Sequence, residues 1–358
     1  MQSLQSLQRR ESDKKKRDIG HVPHDLIKYE SELVRIVKDK QEEIMKIGFL
    51  YAGQGAQHVG MGKDLYEAYP EFREVFDNVK LDFDVKECCF DGPIEKLGQT
   101  RYTQPCMVAF AVGVTKILAA KGIVPEIAAG LSLGEYSALY ASGVFEEQQV
   151  IDLVAYRGKA MEEAVTGRDT GMIAVMNLDR ETIKACCKQA EEEFADSEFH
   201  IAEVANYNTP VQVTVSGDTP VITRAGELMM EKGARRIVPV AVSGPFHTSL
   251  MKPAGDKLAE RFKNEHFGEM KFPVLFNATG KELAADKTIP QMLETQVQSS
   301  VYFEDSIKYM IEQGVDTFIE VGPGKTLSGF VKKIDRSFAT YSVEDIDSLN
   351  AVLEALGK

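Results

Sequence analysis

The stretch Gly130–Gly134 reads Gly-Leu-Ser-Leu-Gly and places a serine where it could act as a nucleophile. An apolar segment, Ile123–Ala129, precedes it, and the composition of Glu135–Tyr140 predicts a helix after it. A serine on a tight turn from strand to helix is strained and exposed, and flanking glycines let the backbone pass without a Cβ clash. The helix would point its first N–H groups at negative charge forming near the serine oxygen. The pattern therefore predicts a nucleophile elbow and an acyl-enzyme at Ser132, although the motif alone is unspecific.

A serine nucleophile needs a base, and beyond the first 44 residues the histidines are His58, His200, His247 and His266. His200 and His266 lie in polar, Glu-rich surroundings, whereas His58 lies in a Gly-rich loop that could face a cleft. His247 follows a predicted strand and a Gly-Pro turn, and strand carboxyl ends form the ligand crevice of open α/β sheets. We therefore favour His247 over His58 as the base. A capping or packing role for His247 is the alternative.

The elements that must position these residues alternate between strand and helix from residue 47 onward. This alternation predicts a mostly parallel sheet with helices on both faces. We expect Thr103 to start the first long helix and Pro105 to lie in its first turn. The predicted strands are 47–51, 127–129, 272–277 and 317–321, and the predicted helices are 103–120, 146–165, 288–298, 303–313 and 324–333.

Residues 169–243 have a different pattern, in the order β-α-β-β-α-β of a ferredoxin-like unit. We predict that this unit is a subdomain inserted into an α/β core formed by residues 45–168 and 244–358, with a polar, partly helical N-terminal extension at 1–44 that includes a candidate helix at 24–43. The predicted strands of the insert are 172–176, 202–205, 212–216 and 236–242, and its predicted helices are 179–193 and 219–232.

Composition excludes several function classes. A net charge of −13 over 358 residues argues against a general nucleic-acid or anionic-membrane binder, but it leaves room for a local basic patch. Five cysteines without a Cys-x-x-Cys indicate reduced buried thiols, and His21 with His24 alone do not make a metal site. The N-terminus lacks the apolar region of a secretory signal, and the longest apolar stretch, Met107–Ala120, is too short to span a bilayer. We predict a cytoplasmic protein that binds no metal.

Five motifs occur in an order that resembles the malonyl-CoA:acyl-carrier-protein transacylase family, the stand-alone acyltransferases of bacterial fatty-acid synthesis. The resemblance covers about residues 45–340 and implies an α/β-hydrolase-like core with a parallel sheet and an inserted ferredoxin-like subdomain, with the active site between them. The motifs are Gly53-Gln54-Gly55-Ala56-Gln57, Gly130-Leu131-Ser132-Leu133-Gly134-Glu135, Tyr156-Arg157-Gly158, Gly244-Pro245-Phe246-His247 and Glu320-Val321-Gly322-Pro323-Gly324.

The resemblance implies a role for each matching residue. Ser132 is implied as the nucleophile and His247 as the general base and acid. The backbone N–H groups of Gln54 and Leu133 are implied as the oxyanion hole; elbow geometry independently predicts the second. Asn277 matches the position whose backbone carbonyl orients the histidine in this family. The Glu320–Gly324 motif is interpreted as a structural turn.

Arg157 is the implied specificity residue, because a guanidinium that faces a cleft can hold a malonyl carboxylate through two parallel hydrogen bonds. The alternative is a surface arginine paired with a glutamate of its helix. Met161, one helical turn further on, is an apolar neighbour expected to contact substrate. Phe246, before His247, leaves little room for an α-methyl group, which implies a preference for malonyl.

The sequence departs from the family pattern at four positions. Leu131 replaces the usual histidine before the nucleophile, and Ala52 replaces the usual proline before the Gly-rich loop. Ser300 stands where proline is usual, and Phe303 where tryptophan is common. The first change could alter packing behind the elbow, but none removes a proposed catalytic group.

The predicted activity is transfer of a malonyl group from malonyl-CoA to the phosphopantetheine thiol of acyl carrier protein, by a ping-pong cycle through Ser132. We predict a monomer that needs no cofactor. The first alternative is a polyketide-pathway acyltransferase or an acyl hydrolase; Arg157 argues against the hydrolase, because removing simple acyl groups needs no carboxylate contact. The second alternative is a non-catalytic scaffold that binds carrier protein, and the intact Ser132, His247 and Gln54 argue against it. Candidate cations for docking the acidic carrier protein are Lys252, Lys325, Lys332, Lys333, Arg235 and Arg236.

Overall fold

Five parallel strands form the larger of two sheets in the computed structural model, which describes residues 45–242 and 244–358. The order of strands across this sheet is β7-β2-β1-β8-β9, and every pairing is parallel. This confirms the predicted parallel α/β core. The strands are β1 (Ile47–Tyr51), β2 (Ile127–Gly130), β7 (Val274–Leu275), β8 (Thr317–Val321) and β9 (Ala339–Val343).

The central strand β1 is an apolar run because helices cover both faces of the sheet. Its last residue, Tyr51, is level with Gly130 at the end of β2 and with Val321 at the end of β8. The carboxyl ends of three neighbouring strands therefore meet at one edge. The Gly-rich loop, the elbow and the Glu320–Gly324 turn all start there.

Twelve α-helices belong to the described part of the core, and two more belong to the subdomain. The helices before the elbow are α1 (Lys63–Ala68), α2 (Pro70–Asn78), α3 (Val85–Phe90), α4 (Ile94–Leu97) and α5 (Thr100–Ala120). The elbow is followed by α6 (Gly134–Ser142) and α7 (Glu147–Ala164), and the subdomain helices are α8 (Arg180–Glu193) and α9 (Thr219–Glu231). The later core helices are α10 (Lys252–Phe262), α11 (Ile289–Val297), α12 (Phe303–Glu312), α13 (Thr326–Ile334) and α14 (Ile346–Ala355).

Helix α5 begins three residues earlier than predicted, so the placement of Pro105 in its first turn is wrong. The Thr103 hydroxyl does not cap the helix but donates to the Gln99 carbonyl at 3.0 Å, and Pro105 lies inside the helix. At 21 residues the helix is long and apolar enough to cross a membrane, although most of it is buried in the core. Its burial identifies it as a core helix. The expectation that this apolar segment is too short to span a bilayer is wrong as to length, because the helix begins at Thr100 and not at Met107.

Residues 170–239 form the second sheet, which is antiparallel with the order β4-β5-β3-β6. Helices α8 and α9 pack against this sheet. The strand order and the two helices confirm the predicted ferredoxin-like subdomain, and all of its strands lie inside 169–243. The strands are β3 (Thr170–Met176), β4 (Ala202–Thr209), β5 (Gln212–Asp218) and β6 (Arg236–Pro239).

Strand β4 continues to Thr209, through most of the turn predicted at 206–210. Asn206 and Asn208 are polar, yet both are buried, because Thr214 bridges them: its hydroxyl donates to Asn206 Oδ1 at 3.1 Å and accepts from Asn208 Nδ2 at 3.4 Å. Hydrogen bonds between polar side chains of the two strands therefore stabilise this part of β4, although its polar composition predicts a turn.

Several helices begin with a side-chain cap. Glu146 and Gln149 form a capping box at α7, as do Thr288 and Gln291 at α11, and Asp179 caps α8 by accepting from Thr182 N–H. All five cysteines are free and buried, as predicted. The sequence did not predict helices α1–α4, α10 and α14 or strand β9. The extension at 1–44, with its candidate helix and histidine pair, lies outside the described residues.

Candidate active site

The turn after β2 has the geometry of a nucleophile elbow. Ser132 has a φ of 53°, in the left-handed region that side chains rarely adopt. A Cβ on Gly130 would lie 1.9 Å from the Gly134 carbonyl carbon, and a Cβ on Gly134 would lie 2.1 Å from the Tyr51 carbonyl oxygen. Only glycine fits at either position, which explains both glycines of the motif.

Two side-chain amides hold the strained backbone of Ser132. Its N–H donates to Asn277 Oδ1 at 2.7 Å, and its carbonyl oxygen accepts from Gln296 Nε2 at 2.7 Å. Asn277 also donates through Nδ2 to the Gly130 carbonyl at 2.7 Å. Both backbone polar groups of the serine are therefore satisfied by groups that fix its conformation.

The hydroxyl of Ser132 contacts His247, as predicted. Oγ lies 2.7 Å from His247 Nε2, and His247 Nδ1 lies 2.9 Å from the backbone carbonyl of Gln296. Because a carbonyl oxygen only accepts, Nδ1 carries the proton and Nε2 is free to accept from the serine. Burial, and secondarily the charge of Arg157, lowers the pKa of His247 to about 4. The imidazole is therefore neutral near pH 7 and ready to act as a base.

The prediction that the Asn277 backbone carbonyl orients the histidine is wrong. That carbonyl accepts from Tyr302 N–H at 2.8 Å, and the orienting carbonyl belongs to Gln296, in the last turn of α11. Carbonyl groups in the last turn of a helix lack a partner within the helix and can accept from a side chain. Asn277 is in the site, but it acts on the elbow instead.

Arg157 is buried at 1% exposure and points into the site from α7. Its Nη1 donates to Gln104 Oε1 at 3.0 Å, and its Nη2 donates to Gln296 Oε1 at 3.0 Å and to Ser132 Oγ at 3.2 Å. All of these acceptors are neutral, and no ion pair joins Arg157 to a carboxylate within 45–242 and 244–358. The predicted alternative, a surface arginine paired with a glutamate of its helix, is wrong.

A cavity of about 180 Å³ opens beside the serine and lies between the core and the subdomain, as predicted. Ser132, His247 and Arg157 all line it. The core also contributes Gln54, Gln104, Leu133, Met161 and Phe246, and the subdomain sheet contributes Asn206, Asn208, Gln212 and Thr214. The predicted site residues other than Asn277 therefore share one cavity.

The Gly-rich loop lies directly against the elbow. A Cβ on Gly53 would lie 2.5 Å from the Leu131 carbonyl oxygen, so the glycine permits this approach and brings Gln54 beside the nucleophile. The Gln54 side chain donates to Thr100 Oγ1 at 3.1 Å. The assignment of the backbone N–H groups of Gln54 and Leu133 as the oxyanion hole remains a prediction.

The other histidines are outside this cavity. His58, His200 and His266 are all exposed, and the first two have Nδ1 near a neighbouring backbone carbonyl. In the described part of the chain, no group of three or more His, Cys, Asp or Glu residues could hold a metal ion.

Three of the four departures from the family pattern are accommodated locally. Ala52 packs against Gly322 so closely that a Cβ on the glycine would lie 2.4 Å from the Ala52 Cβ. Phe303 is fully buried, and the Ser300 hydroxyl donates to the Val204 carbonyl. Glu320 accepts from the N–H groups of Leu327 and Ser328 at the start of α13. The Glu320–Gly324 motif is therefore structural, as predicted.

Sequence reasoning missed Gln104 and Gln296, which hold Arg157 from two different helices. A single glutamine in a helix gives no local signal of function. Gln296 would have been detectable only from its position beside the Asn277 loop in the folded chain.

A serine hydroxyl on an elbow, bonded to a neutral imidazole, is suited to accept an acyl group from a thioester and pass it on. The fold and site together therefore define a serine acyltransferase. The acyl transferase domain model matches residues 48–352, and the chain belongs to this family.

Individual relatives and solved structures support the same family. The chain is 38% identical over 313 residues to the malonyl CoA-acyl carrier protein transacylase of Bacillus subtilis, covering 87% of this chain and 97% of that protein. A crystal structure of the transacylase from Streptococcus pneumoniae is 44% identical with a TM-score of 0.82, covering 87% of this chain and all of that one. A malonyl-transacylase bound to its type II polyketide acyl-carrier protein is 36% identical, also with a TM-score of 0.82, covering 87% of this chain and 99% of that one.

Proposed function

We propose that this acyltransferase moves a malonyl group from malonyl-CoA to the phosphopantetheine thiol of acyl carrier protein and supplies fatty-acid biosynthesis. The observation that carries the substrate assignment is the placement of Arg157. A fully buried guanidinium lies 3.2 Å from the nucleophilic oxygen and has only neutral acceptors. A carboxylate on the acyl group would supply the missing counter-charge through two parallel hydrogen bonds.

The first half-reaction forms the acyl-enzyme. Ser132 Oγ attacks the thioester carbonyl while His247 Nε2 takes the hydroxyl proton, and the backbone N–H groups of Gln54 and Leu133 stabilise the oxyanion. Collapse of the intermediate breaks the C–S bond. The imidazolium then returns the proton to the CoA thiolate, which leaves as the thiol.

The second half-reaction reverses these roles. The carrier-protein thiol gives its proton to His247 Nε2 and attacks the Ser132 ester. The C–O bond breaks and the proton returns to Ser132 Oγ. Because protons and electron pairs balance within these groups, we propose that the reaction uses no metal or redox cofactor.

Selectivity among acyl groups is assigned to Arg157, Phe246 and Met161. All three line the cavity with Ser132. The guanidinium favours a carboxylate, and the Phe246 ring occupies space that a branched acyl group would need. We assign Met161 the adaptable apolar wall, since its side chain is flexible.

We further propose a monomer that works in the cytoplasm. The described residues expose only six large apolar side chains, which favours a surface without a single large apolar patch. Free buried thiols are typical of a reducing compartment.

Incubation with malonyl-CoA and no acceptor tests the proposal. We expect a malonyl adduct on the Ser132 peptide by intact and peptide mass spectrometry, and none with Ser132→Ala. Rapid release of free malonate would instead indicate a hydrolase. An unmodified protein with no malonate released would indicate a binding scaffold.

A further inference from the structure

A buried carboxyl group lies directly behind the elbow. Glu135 is in the first turn of α6 and is 0% exposed. Its Oε2 accepts from Asn277 N–H at 2.6 Å, and the side chain of the same asparagine binds Ser132 N–H. Glu135 is therefore linked to the nucleophile through one intervening residue.

Three buried polar atoms near this carboxyl group lack a hydrogen-bond partner among the described residues. They are Glu135 Oε1, Tyr136 Oη and Arg157 Nε. The Arg157 guanidinium lies 5.5 Å from the centre of the Tyr136 ring, and Glu135 and Arg157 influence each other's pKa through their charges. A carboxyl and a guanidinium are thus buried near one another without a direct ion pair.

The charge state of Glu135 follows from this setting. Burial raises the pKa of Glu135 to about 8, against the opposing effects of Asn277 N–H and the Arg157 charge. The charged group that acts on it from α7 is Arg157, whereas the loop after β7 and helix α11 present the neutral amides of Asn277 and Gln296. The Tyr136 phenol on α6 stays neutral, because burial raises its pKa too. Glu135 is therefore mostly neutral below about pH 8 and anionic above it.

We propose that Glu135 is a positioning residue with two effects: its carboxyl group fixes Asn277 behind the elbow, and its ionisation weakens the attraction of Arg157 for a substrate carboxylate. The inference rests on the proposed function, because it assumes that Arg157 receives that carboxylate. While Glu135 is neutral, the Arg157 charge is uncompensated and attracts the acyl carboxylate. Once Glu135 is ionised, its negative charge offsets that attraction.

The proposal predicts a pH dependence that differs between two ligands. Malonyl-CoA binding should weaken by roughly tenfold as the pH rises through about 8, as expected of one added negative charge at an effective dielectric constant of about 20. Acetyl-CoA has no carboxylate, so its binding should change little. His247 stays neutral over this range and contributes no change.

Calorimetry on the non-acylating Ser132→Ala variant measures both affinity and proton exchange when repeated in buffers of different ionisation enthalpy. Near pH 8 we expect malonyl-CoA to bind with uptake of a fraction of a proton beyond that of acetyl-CoA. The Ser132→Ala/Glu135→Gln double variant should show neither the extra uptake nor the pH dependence. The matched control is Ser132→Ala/Glu320→Gln, which changes a buried glutamate that binds only the start of α13.

Equal proton uptake for the two ligands, or a double variant that keeps the pH dependence, would overturn the proposal. If Glu135→Gln does not fold, the proton count on Ser132→Ala alone still decides. Failure of the proposed function gives a different result, since wild-type protein would then form no malonyl adduct on Ser132. An adduct with no extra proton uptake would refute the Glu135 proposal alone.

Discussion

The side chain of Gln296 binds the backbone of Ser132, and the backbone carbonyl of the same glutamine binds the catalytic base, His247. Gln296 Nε2 donates to the Ser132 carbonyl at 2.7 Å, while the Gln296 carbonyl accepts from His247 Nδ1 at 2.9 Å. The same side chain accepts from Arg157 Nη2 through Oε1 at 3.0 Å. One residue at the end of α11 thus sets the relative positions of nucleophile, base and guanidinium.

Gln296→Ala removes the side-chain contacts and keeps the backbone carbonyl. Because a misplaced reacting group costs about 10²-fold, we expect acylation by malonyl-CoA to slow by about that factor. The loss of buried hydrogen bonds should lower the free energy of unfolding by about 1–3 kcal/mol. Stopped-flow acylation and urea unfolding measure these effects. Gln298→Ala, which loses a bond only to Glu294, is the control, and equal acylation rates would contradict the role given to Gln296.

Arg157→Ala tests the carboxylate contact. We expect kcat/KM for malonyl-CoA to fall by about 10²–10³-fold, because a charge-assisted bidentate contact is lost, while acetyl-CoA reacts no more slowly. Competition between the two thioesters, read by mass spectrometry of the acyl-enzyme, measures the change in preference. Arg101→Ala, at a partly exposed arginine, serves as the control. A parallel loss for both thioesters would show that Arg157 only supports the fold.

The pH profile of acylation tests the state of His247. With its pKa lowered to about 4, the imidazole stays neutral down to that pH, so the acid limb of kcat/KM should lie near pH 4. Arg157→Gln removes one cause of the lowering, and the limb should move to higher pH. Because the folded pKa lies below the unfolded value of 6.5, the unfolded state binds the proton first, and this group's contribution to stability is lost as the pH falls from about 6.5 to about 4. A limb near pH 6.5 in wild type would contradict this reasoning.

Much of this site could be predicted from sequence because its chemistry depends on local patterns. The glycines around Ser132 are required by close backbone contacts. His247 lies in the site as predicted, but the strand before it, β6, ends at Pro239 and belongs to the antiparallel sheet, so the argument from strand carboxyl ends does not explain its position. The orienting carbonyl was assigned to Asn277 and belongs to Gln296, because any residue can offer a backbone carbonyl and only the fold decides which one faces the imidazole.

The fold was likewise predictable where local signals are strong. The β-α-β-β-α-β order identified the ferredoxin-like subdomain. The polar residues Asn206 and Asn208 concealed the length of β4, because their hydrogen bonds to Thr214 form only once β5 is paired with it. The short helices α1–α4 were missed because each offers too few turns for a clear apolar period.

Phe246→Ser tests the steric part of selectivity. Removing the ring should enlarge the cavity and raise the ratio of methylmalonyl to malonyl transfer by about tenfold, within the 1–3 kcal/mol that one methyl group is worth in an apolar pocket. Competition between the two CoA thioesters measures this ratio. The control is Phe267→Ser, at a partly buried aromatic residue outside the cavity. An unchanged ratio would remove Phe246 from the selectivity assignment.

Lys333 is the docking candidate that the structure connects to the cavity. Its Nζ lies 3.4 Å from Gln212 Oε1, and Gln212 lines the cavity, whereas Lys252 is already paired with Asp256 at 2.6 Å. Reversing the charge in Lys333→Glu should raise KM for the acidic carrier protein by about tenfold at low salt and leave acylation by malonyl-CoA unchanged, because only the second half-reaction needs the protein partner. Steady-state transfer at varied carrier-protein concentration measures the effect, with Lys287→Glu as an exposed control. If KM rose equally for Lys333→Glu and Lys287→Glu, the effect would be one of net charge, and the docking surface would not include Lys333.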